Sequence, residues 1–237
     1  MKIIKTFAAV AAAFSFCCVL TAQAQDSESK TVESEYMSNS TQDVVISELA
    51  NSPDRENKMV ALNFLEQSLE DGKATPAMVQ ALDQLAGEGI STQSRINGRM
   101  MNNFPDIRAK ACEILGKVGT EDAALTLNKV VKYDNEPMVL SSAIRALGDI
   151  GYNDGDKISD TIAFISNRVE TLTPSSSMAL EVVIAYEKLL PNIKNKKPVI
   201  DSLGRIATDS NLVRPVRTRA MNLLKQMRNS GSSSNKQ

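Results

Sequence analysis

Histidine and tryptophan are absent from this chain of 237 residues, and aromatic residues make up 4% of it. Histidine is the commonest metal ligand and general base, and the side chain that titrates nearest to neutral pH. Without it, zinc, iron and haem sites lose their main protein ligand. The absence therefore argues against a metal centre and against catalysis that depends on an imidazole.

Sequence motifs of catalytic sites are missing as well. The chain has no Gly-rich phosphate loop, no dinucleotide-binding glycine pattern and no Gly-x-Ser-x-Gly elbow. Asp149, Asp154 and Asp156 lie near glycines, but no glutamate closes a calcium loop of the EF-hand type, so we predict a turn capped by aspartates. We therefore expect no enzymatic activity, no cofactor and no metal ion.

The N-terminus has the composition of a secretory signal peptide. Lys2 and Lys5 precede an apolar run from Phe7 to Leu20, and Ala22-Gln23-Ala24 supplies the small residues that signal peptidase requires. The run is shorter than the roughly 20 residues of a membrane-spanning helix. We therefore predict a signal peptide over residues 1–24 and export of a bacterial protein to the periplasm or the medium, with no transmembrane segment in the mature chain.

Cysteine is too scarce to form a disulfide framework. Cys17 and Cys18 lie within the signal sequence, which leaves Cys112 as the one thiol of the mature chain. A single cysteine closes no internal disulfide, so packing alone must hold the fold. Cys112 follows Ala111 on an apolar helix face, where a small buried side chain is expected. A lipid anchor at Cys17 or Cys18 is the alternative to a secreted protein, but more apolar sequence follows both.

Helix start and stop signals alternate between residues 41 and 228. The starts, which carry Ser or Thr as a cap or Pro in the first turn, are Thr41, Ser52-Pro53, Thr75-Pro76, Phe104-Pro105, Thr120, Glu136-Pro137 and Thr173-Pro174. The stops, where a left-handed residue would end a helix, are Gly72, Gly87, Gly119 and Gly151. No run alternates with period two, so the segment is predicted to be all-α, without a β-sheet.

Both ends of the mature chain lack this helical pattern. Residues 25–40 are polar and are predicted to form a disordered leader. Residues 229–237 are rich in Ser, Asn and Gly and are predicted to form a disordered tail.

Five of the predicted helices repeat one pattern, in which an alanine is followed three and four residues later by an apolar pair. Counted from Ile107 as zero, Ala111 lies at +4 and the pair Ile114/Leu115 at +7 and +8. These positions share one helical stripe, and an alanine in its middle lets a neighbouring helix come close. The other pairs are Phe64/Leu65, Ala146/Leu147, Val182/Val183 and Leu223/Leu224. The expected repeat core is Ala61, Ala111, Leu115, Ala143, Leu147, Ala179, Ala220 and Leu224.

Second helices fill the gaps between these five. They are predicted at about 42–51, 76–87, 120–132, 156–171 and 197–208. The first of them carries Val44, Val45 and Leu49 as its apolar set. One helical hairpin cannot cover its own apolar stripe, whereas stacked neighbours can. The pattern therefore predicts an α-solenoid of about five helix pairs, whose use is to present surface to a partner.

Residues 105–151 resemble two copies of a HEAT repeat. Pro105 to Gly119, with Ile107-Arg108 and Ala111, is similar to the shorter variety found in phycobilin lyases, and Pro137 to Gly151 looks like the next copy. Val216-Arg217 with Ala220 resembles a last one. The resemblance implies a right-handed superhelix that binds proteins, and it implies no lyase chemistry, because fold and activity separate easily.

The resemblance also implies a role for two arginines. The first-helix arginine of the family falls on Arg108 and Arg217, where it usually pairs with an acidic residue of a neighbouring turn. Leu140 occupies that place in the middle copy, so any ladder of such pairs is interrupted there.

The long segment 88–104 between two repeats is the first candidate for partner binding. Its candidate residues combine fixed charge with adaptable apolar surface, and they are Arg95, Arg99, Met100, Met101 and Phe104. The alternative is a solvated insertion or a degenerate half-repeat that covers the core.

Charge is distributed unevenly, which suggests a second candidate surface. Residues 26–89 contain 13 acidic and 4 basic side chains, whereas residues 188–228 contain 10 basic and 2 acidic ones. Arg217, Arg219 and Lys225 belong to the basic set, which would attract an anionic partner unless it is simply a solvated face. Nucleic acid is not expected, because export separates the chain from it and no aromatic residues stand among the basic ones.

The sequence therefore predicts an exported, non-enzymatic scaffold of the bacterial cell envelope that binds a protein partner. The alternative is a structural envelope component that binds an anionic membrane or polyanion through its basic C-terminal repeat.

Overall fold

A computed structural model describes residues 32–91, 93–172 and 174–233. The chain divides into two units, residues 1–40 and residues 41–237. Of the first unit, residues 32–40 are described and are helical. The predicted signal peptide and residues 25–31 lie outside the described residues.

The described residues form ten α-helices, a two-stranded ladder and two short 3₁₀ turns, Asp154–Asp156 and Leu190–Asn192. The helices are α1 Val32–Asn51, α2 Arg55–Glu70, α3 Pro76–Ala86, α4 Pro105–Val118, α5 Glu121–Tyr133, α6 Pro137–Ile150, α7 Lys157–Leu172, α8 Ser176–Leu189, α9 Lys197–Thr208 and α10 Arg214–Ser233. The strands are β1 Arg95–Ile96 and β2 Arg99–Met100. The predicted all-α solenoid is confirmed.

Two layers of helices make up residues 41–233. In the first layer, α2, α4, α6, α8 and α10 each contact the next member of that series. In the second layer, α3, α5, α7 and α9 do the same. Each pair therefore buries its apolar stripe against the adjacent pairs, as the repeat pattern requires.

Two glycines allow the first-layer helices to approach closely. A Cβ built on Gly116 of α4 would lie 2.8 Å from the Cβ of Ala146 on α6. A Cβ built on Gly148 of α6 would lie 2.8 Å from the Cα of Ala185 on α8. Both glycines occupy position +9 of the repeat. The sequence pattern predicted that the alanine at +4 lets neighbouring helices come close. The structure shows that the glycine at +9 of α4 and α6 does so as well.

Ion pairs reinforce several first-layer contacts. Glu66 on α2 lies 2.7 Å from the Nζ of Lys110 and 2.6 Å from that of Lys117, both on α4. Hydrogen bonds from Lys110 and then Lys117 lower the pKa of Glu66. Between α6 and α8, Arg145 of α6 donates hydrogen bonds to both carboxylate oxygens of Glu181 on α8.

The expected repeat core lies inside the protein. Its residues Ala61, Ala111, Leu115, Ala143, Leu147, Ala179, Ala220 and Leu224 are all buried. Cys112 is fully buried as well, and burial raises the pKa of its thiol well above the usual range. Three residues of the predicted apolar sets are instead exposed, namely Val44, Val45 and Phe64. They belong to α1 and α2, which have no helix pair before them among the described residues.

Helix ends follow the start and stop signals with a few corrections. Thr75 and Thr120 accept hydrogen bonds from the N–H groups of Met78 and Ala123, as N-caps do. Gly87 does not end α3 in a left-handed conformation, since its φ is −92°. The left-handed residue is Gly89, whose φ is +73°.

The predicted disordered leader and tail are partly helical. Residues 32–40 belong to α1 and residues 229–233 belong to α10. Helix growth is cooperative, so a helix nucleated by a packed segment extends through neighbouring polar residues until a strong breaker stops it. No proline or glycine separates residue 32 from the packed part of α1. Periodicity alone therefore placed both boundaries too far inward.

The prediction that no β-sheet forms is wrong at one place. Strands β1 and β2 pair antiparallel, with Arg95 opposite Met100 and Ile96 opposite Arg99. Asn97 and Gly98 join them, and both have positive φ, 50° and 79°. Asn-Gly is the preferred sequence of a two-residue hairpin turn, because it accepts that conformation at little cost. The Asn97-Gly98 dipeptide, and not an alternation of polar and apolar residues, was the sequence signal for this hairpin.

We expect Gly148→Ala to lower the free energy of unfolding by about 1–3 kcal/mol, because the new methyl group meets backbone that moves only if α6 and α8 separate. Gly204→Ala on α9 is the matched control, since nothing lies within 4 Å of its added Cβ. It should raise stability by about 0.5–1 kcal/mol through helix propensity. Urea unfolding followed by circular dichroism measures both, and equal effects would show that α6 and α8 do not pack as described.

Candidate functional site

A buried ion pair joins α4 to the turn between α5 and α6. The Nε of Arg108 lies 2.7 Å from an oxygen of Asp134, and both side chains are almost completely buried. Asp134 also accepts hydrogen bonds from the backbone N–H groups of Asn135 and Glu136. This pairing is the one that the resemblance implied for Arg108.

A second buried pair occupies the equivalent place one repeat earlier. The Nζ of Lys58 lies 2.6 Å from a carboxylate oxygen of Glu88 and donates to the carbonyl oxygen of Ala50 at 2.7 Å. Lys58 and Arg108 both stand at position +1 of the repeat. Lys58 was not among the predicted residues, although a basic residue at position +1 was the available signal.

The other three repeats lack this pair, and Ser176 stands at position +1 of α8. Leu140 stands at position +1 of α6 and is fully buried, so the ladder is interrupted there as predicted. The buried Nε of Arg217 on α10 has no hydrogen-bond partner among the described residues. The pairs are therefore confined to the first two repeats, on either side of segment 88–104.

Both pairs hold segment 88–104 in place. Arg108 donates to the carbonyl oxygen of Glu88 at 3.3 Å and to the side-chain oxygen of Asn103 at 2.9 Å. Asn102 donates to the carboxylate of Glu88 and accepts from the backbone N–H of Ser94. Two ends of the segment are thus tied to one buried network, and the hairpin β1–β2 projects from this base.

A cavity of about 520 Å³ lies between this segment and the turn that follows α5. Its lining includes Ile90, Met100 and Tyr133 as apolar side chains, with the Arg108–Asp134 pair at one side. Tyr133 is 68% exposed. The cavity therefore combines three apolar side chains with a hydrogen-bonded polar wall, and it is large enough to admit side chains of a partner.

The predicted residues of the segment divide into exposed and packed ones. Arg95 and Arg99 are exposed, and Arg95 donates to the side-chain oxygen of Gln93. Met100 is half-buried in the cavity wall and Met101 is 50% exposed. Phe104 packs against the core beside α4 and contributes little free surface.

Two exposed apolar residues near this cavity were not singled out from the sequence. Ile96 is 58% exposed on the hairpin, and Tyr133 ends α5 just before Asp134. The signal for Tyr133 was an aromatic residue outside the apolar stripe, next to a polar turn. We call the surface formed by Arg95, Ile96, Arg99, Met100, Met101 and Tyr133 the hairpin surface.

The predicted C-terminal residues lie on another element, α10. Arg219 binds both carboxylate oxygens of Glu187 on α8, at 2.9 and 2.7 Å, so it serves the first-layer contact. Lys225 is exposed. The structure therefore does not bring the two predicted groups of partner-binding residues into one site.

The aspartates near Gly151 have structural contacts. Asp149 pairs with Lys188, and Asp154 lies 3.2 Å from Lys157. Asp156 accepts hydrogen bonds from the backbone N–H groups of residues 194 and 195, which lower its pKa. No group of metal-binding side chains occurs within the described ranges.

No helix in the described part of the chain is long and apolar enough to cross a membrane.

We expect Arg108→Met to cost about 3–5 kcal/mol of unfolding free energy, because Asp134 would remain buried without its partner. Arg219→Met is the matched control, since its pair with Glu187 is largely exposed and should contribute at most about 1 kcal/mol. Urea unfolding measures both losses. Equal losses would mean that the Arg108–Asp134 pair is hydrated and does not fix the segment.

The family model for HEAT repeats matches residues 96–163. None of the curated proteins matches the chain, and none of the solved structures does. The match covers the hairpin, α4, α5, α6 and the start of α7, and the same layered helix pairs continue on both sides of it. Residues 96–163 are therefore HEAT repeats.

Proposed function

We propose that this HEAT-repeat protein is an exported, non-enzymatic scaffold of the bacterial cell envelope that binds a protein segment at the hairpin surface. HEAT repeats generally serve as protein-interaction scaffolds. The observation that carries the proposal is a cavity lined by Ile90, Met100 and Tyr133 beside a buried ion pair, with Met101 exposed on the adjoining hairpin.

The chemistry of this surface defines the segment that fits it. Methionine side chains adapt to different apolar partners, and Tyr133 offers a large exposed ring. Arg95 and Arg99 lie on the same hairpin and supply positive charge at the rim. The preferred partner is therefore an extended segment with one apolar side chain for the cavity and acidic residues beside it.

The solvent face of the second layer extends the available surface. Leu125 on α5 and Phe164 on α7 are 45% and 67% exposed on neighbouring helices. Large apolar side chains left in solvent on adjacent helices favour a contact with another protein.

A photo-crosslinking residue at Tyr133, introduced in living cells, tests this site. We expect one discrete adduct, which Met101→Asp should reduce about tenfold because it places an unpaired charge in an apolar contact. A crosslinker at Glu113, which is exposed on the first layer, is the control and should give no such adduct. An adduct at both positions, or one that Met101→Asp leaves unchanged, would contradict the proposed site.

The proposed export rests on the sequence of residues 1–24 and has its own test. The intact mass of the protein recovered from the cell envelope or medium should correspond to a chain that begins at Gln25. Ala22→Leu together with Ala24→Leu should block that cleavage. A chain that keeps Met1 and stays in the cytoplasm would refute export, and a lipid-modified N-terminus at Cys17 or Cys18 would establish the lipoprotein alternative.

A further inference from the structure

The two ends of the described stack are complementary halves of a repeat. Helix α1 lies beside α3 in the second layer, where Asp43 and Asn51 bind side chains of Thr75 and Gln84. No first-layer helix precedes α2 among the described residues, and no second-layer helix follows α10 there. We propose that a second copy of this chain supplies the missing half, with α10 of one copy packed against α1 and α2 of the next.

The receiving surface is an apolar repeat position left uncovered. Position +7 is at most 3% exposed in four repeats, at Ile114, Ala146, Val182 and Leu223. In the first repeat the same position is Phe64, which is 49% exposed. In the third repeat this position is Ala146, which contacts Gly116 on the preceding first-layer helix. Phe64 therefore faces the place of a preceding first-layer helix.

The surface around Phe64 has the same character. Val60 lies one turn earlier on α2 and is 42% exposed. Val45 on α1 is 49% exposed, and the exposed carboxylates of Glu48 and Glu56 stand on the same two helices. The receiving end is thus apolar in its middle and acidic at its border.

The opposite end presents the matching side of α10. Arg219 faces α8, and helical spacing puts Arg214, Met221 and Lys225 on the other side of α10. Lys225 stands at +9, the position that faces the next first-layer helix at Gly116 and Gly148. A long side chain is accepted at +9 inside the stack, since Glu66 occupies it on α2 and pairs with α4.

Charge favours this orientation over contact between two like ends. Residues 41–89 contain 9 acidic and 3 basic side chains, whereas residues 188–228 contain 2 and 10. A basic α10 with Met221 at its centre would cover Phe64 and Val60, while its cations meet Glu48 and Glu56. Opposite charges attract the acidic end of one copy to the basic end of the next, whereas two acidic or two basic ends repel each other. The contact is head-to-tail and leaves the hairpin surface free.

Cysteine crosslinking distinguishes this contact from every other pairing. Phe64 and Met221 are exposed at opposite ends of the first layer, with three helices between them, so a disulfide between these positions joins two molecules. We expect a mixture of full-length Phe64→Cys and Met221→Cys, each with Cys17 and Cys18 replaced by Ala, to form a crosslinked dimer under mild oxidation. Each variant alone should not, and Cys112 is buried and should not react. No crosslink in the mixture, or equal crosslinking of either variant alone, would overturn the proposal.

Sedimentation of the full-length chain gives an independent measure. Its mass should rise with concentration and fall with added salt, because exposed charges are screened. Arg214→Glu with Lys225→Glu should weaken association about tenfold. Lys129→Glu with Lys132→Glu on α5 makes the same change in net charge and should leave association unchanged.

Binding to anionic vesicles tests the alternative that the basic face of α10 contacts a membrane. If Arg214→Glu with Lys225→Glu abolishes binding to vesicles of an anionic phospholipid and leaves the sedimenting mass unchanged, the basic face serves a membrane and the head-to-tail contact is refuted. A mass that stays monomeric at all concentrations refutes it as well.

Discussion

The stack depends on how closely one first-layer helix can approach the next. At Gly116 and Gly148 the missing side chain lets Ala146 and Ala185 of the following helix lie against backbone, which leaves no room for a methyl group. Such a contact sets the spacing and the rotation of adjacent pairs together. With both set, position +7 is buried in the four repeats that follow another first-layer helix. The second-layer helices α3, α5, α7 and α9 then contact each other in sequence as well.

In the first two repeats, the residue at position +1 reaches the turn that follows the second helix of its own pair. Lys58 meets Glu88 and Arg108 meets Asp134, in each case across a full helix pair. Burying such charges is costly, and several hydrogen bonds at each pair offset that cost. The network holds both ends of segment 88–104, so the hairpin surface rests on a base with little freedom. Binding at such a surface loses less conformational entropy than binding at a flexible loop.

The helices and the buried stripe could be predicted from the sequence because both follow from local periodicity. The alanines at +4 and the arginine at +1 are repeated features, and repetition makes them visible. Features that occur once were harder to find. The hairpin was missed because Asn97-Gly98 was not weighed as a turn signal, and Lys58 because its copy of the repeat is irregular.

Other features depend on tertiary context that one sequence does not contain. Phe64 obeys the repeat pattern and is exposed because no first-layer helix precedes α2 among the described residues, not because of its own sequence. The cavity beside Tyr133 arises where segment 88–104 meets a turn some 30 residues later, and no spacing rule connects the two. Helical residues 32–40 show that a polar composition does not by itself exclude a helix.

Hydrogen exchange measured on the full-length chain by mass spectrometry tests the central claim, that each helix pair is stabilised by its neighbours. In a stack of this kind, protection should be highest in α6, which has a close glycine contact on both sides, and should decrease toward α1 and α10. Equal protection of all helices, with one common free energy of opening, would contradict the account, because it would mean that the whole chain shares a single core.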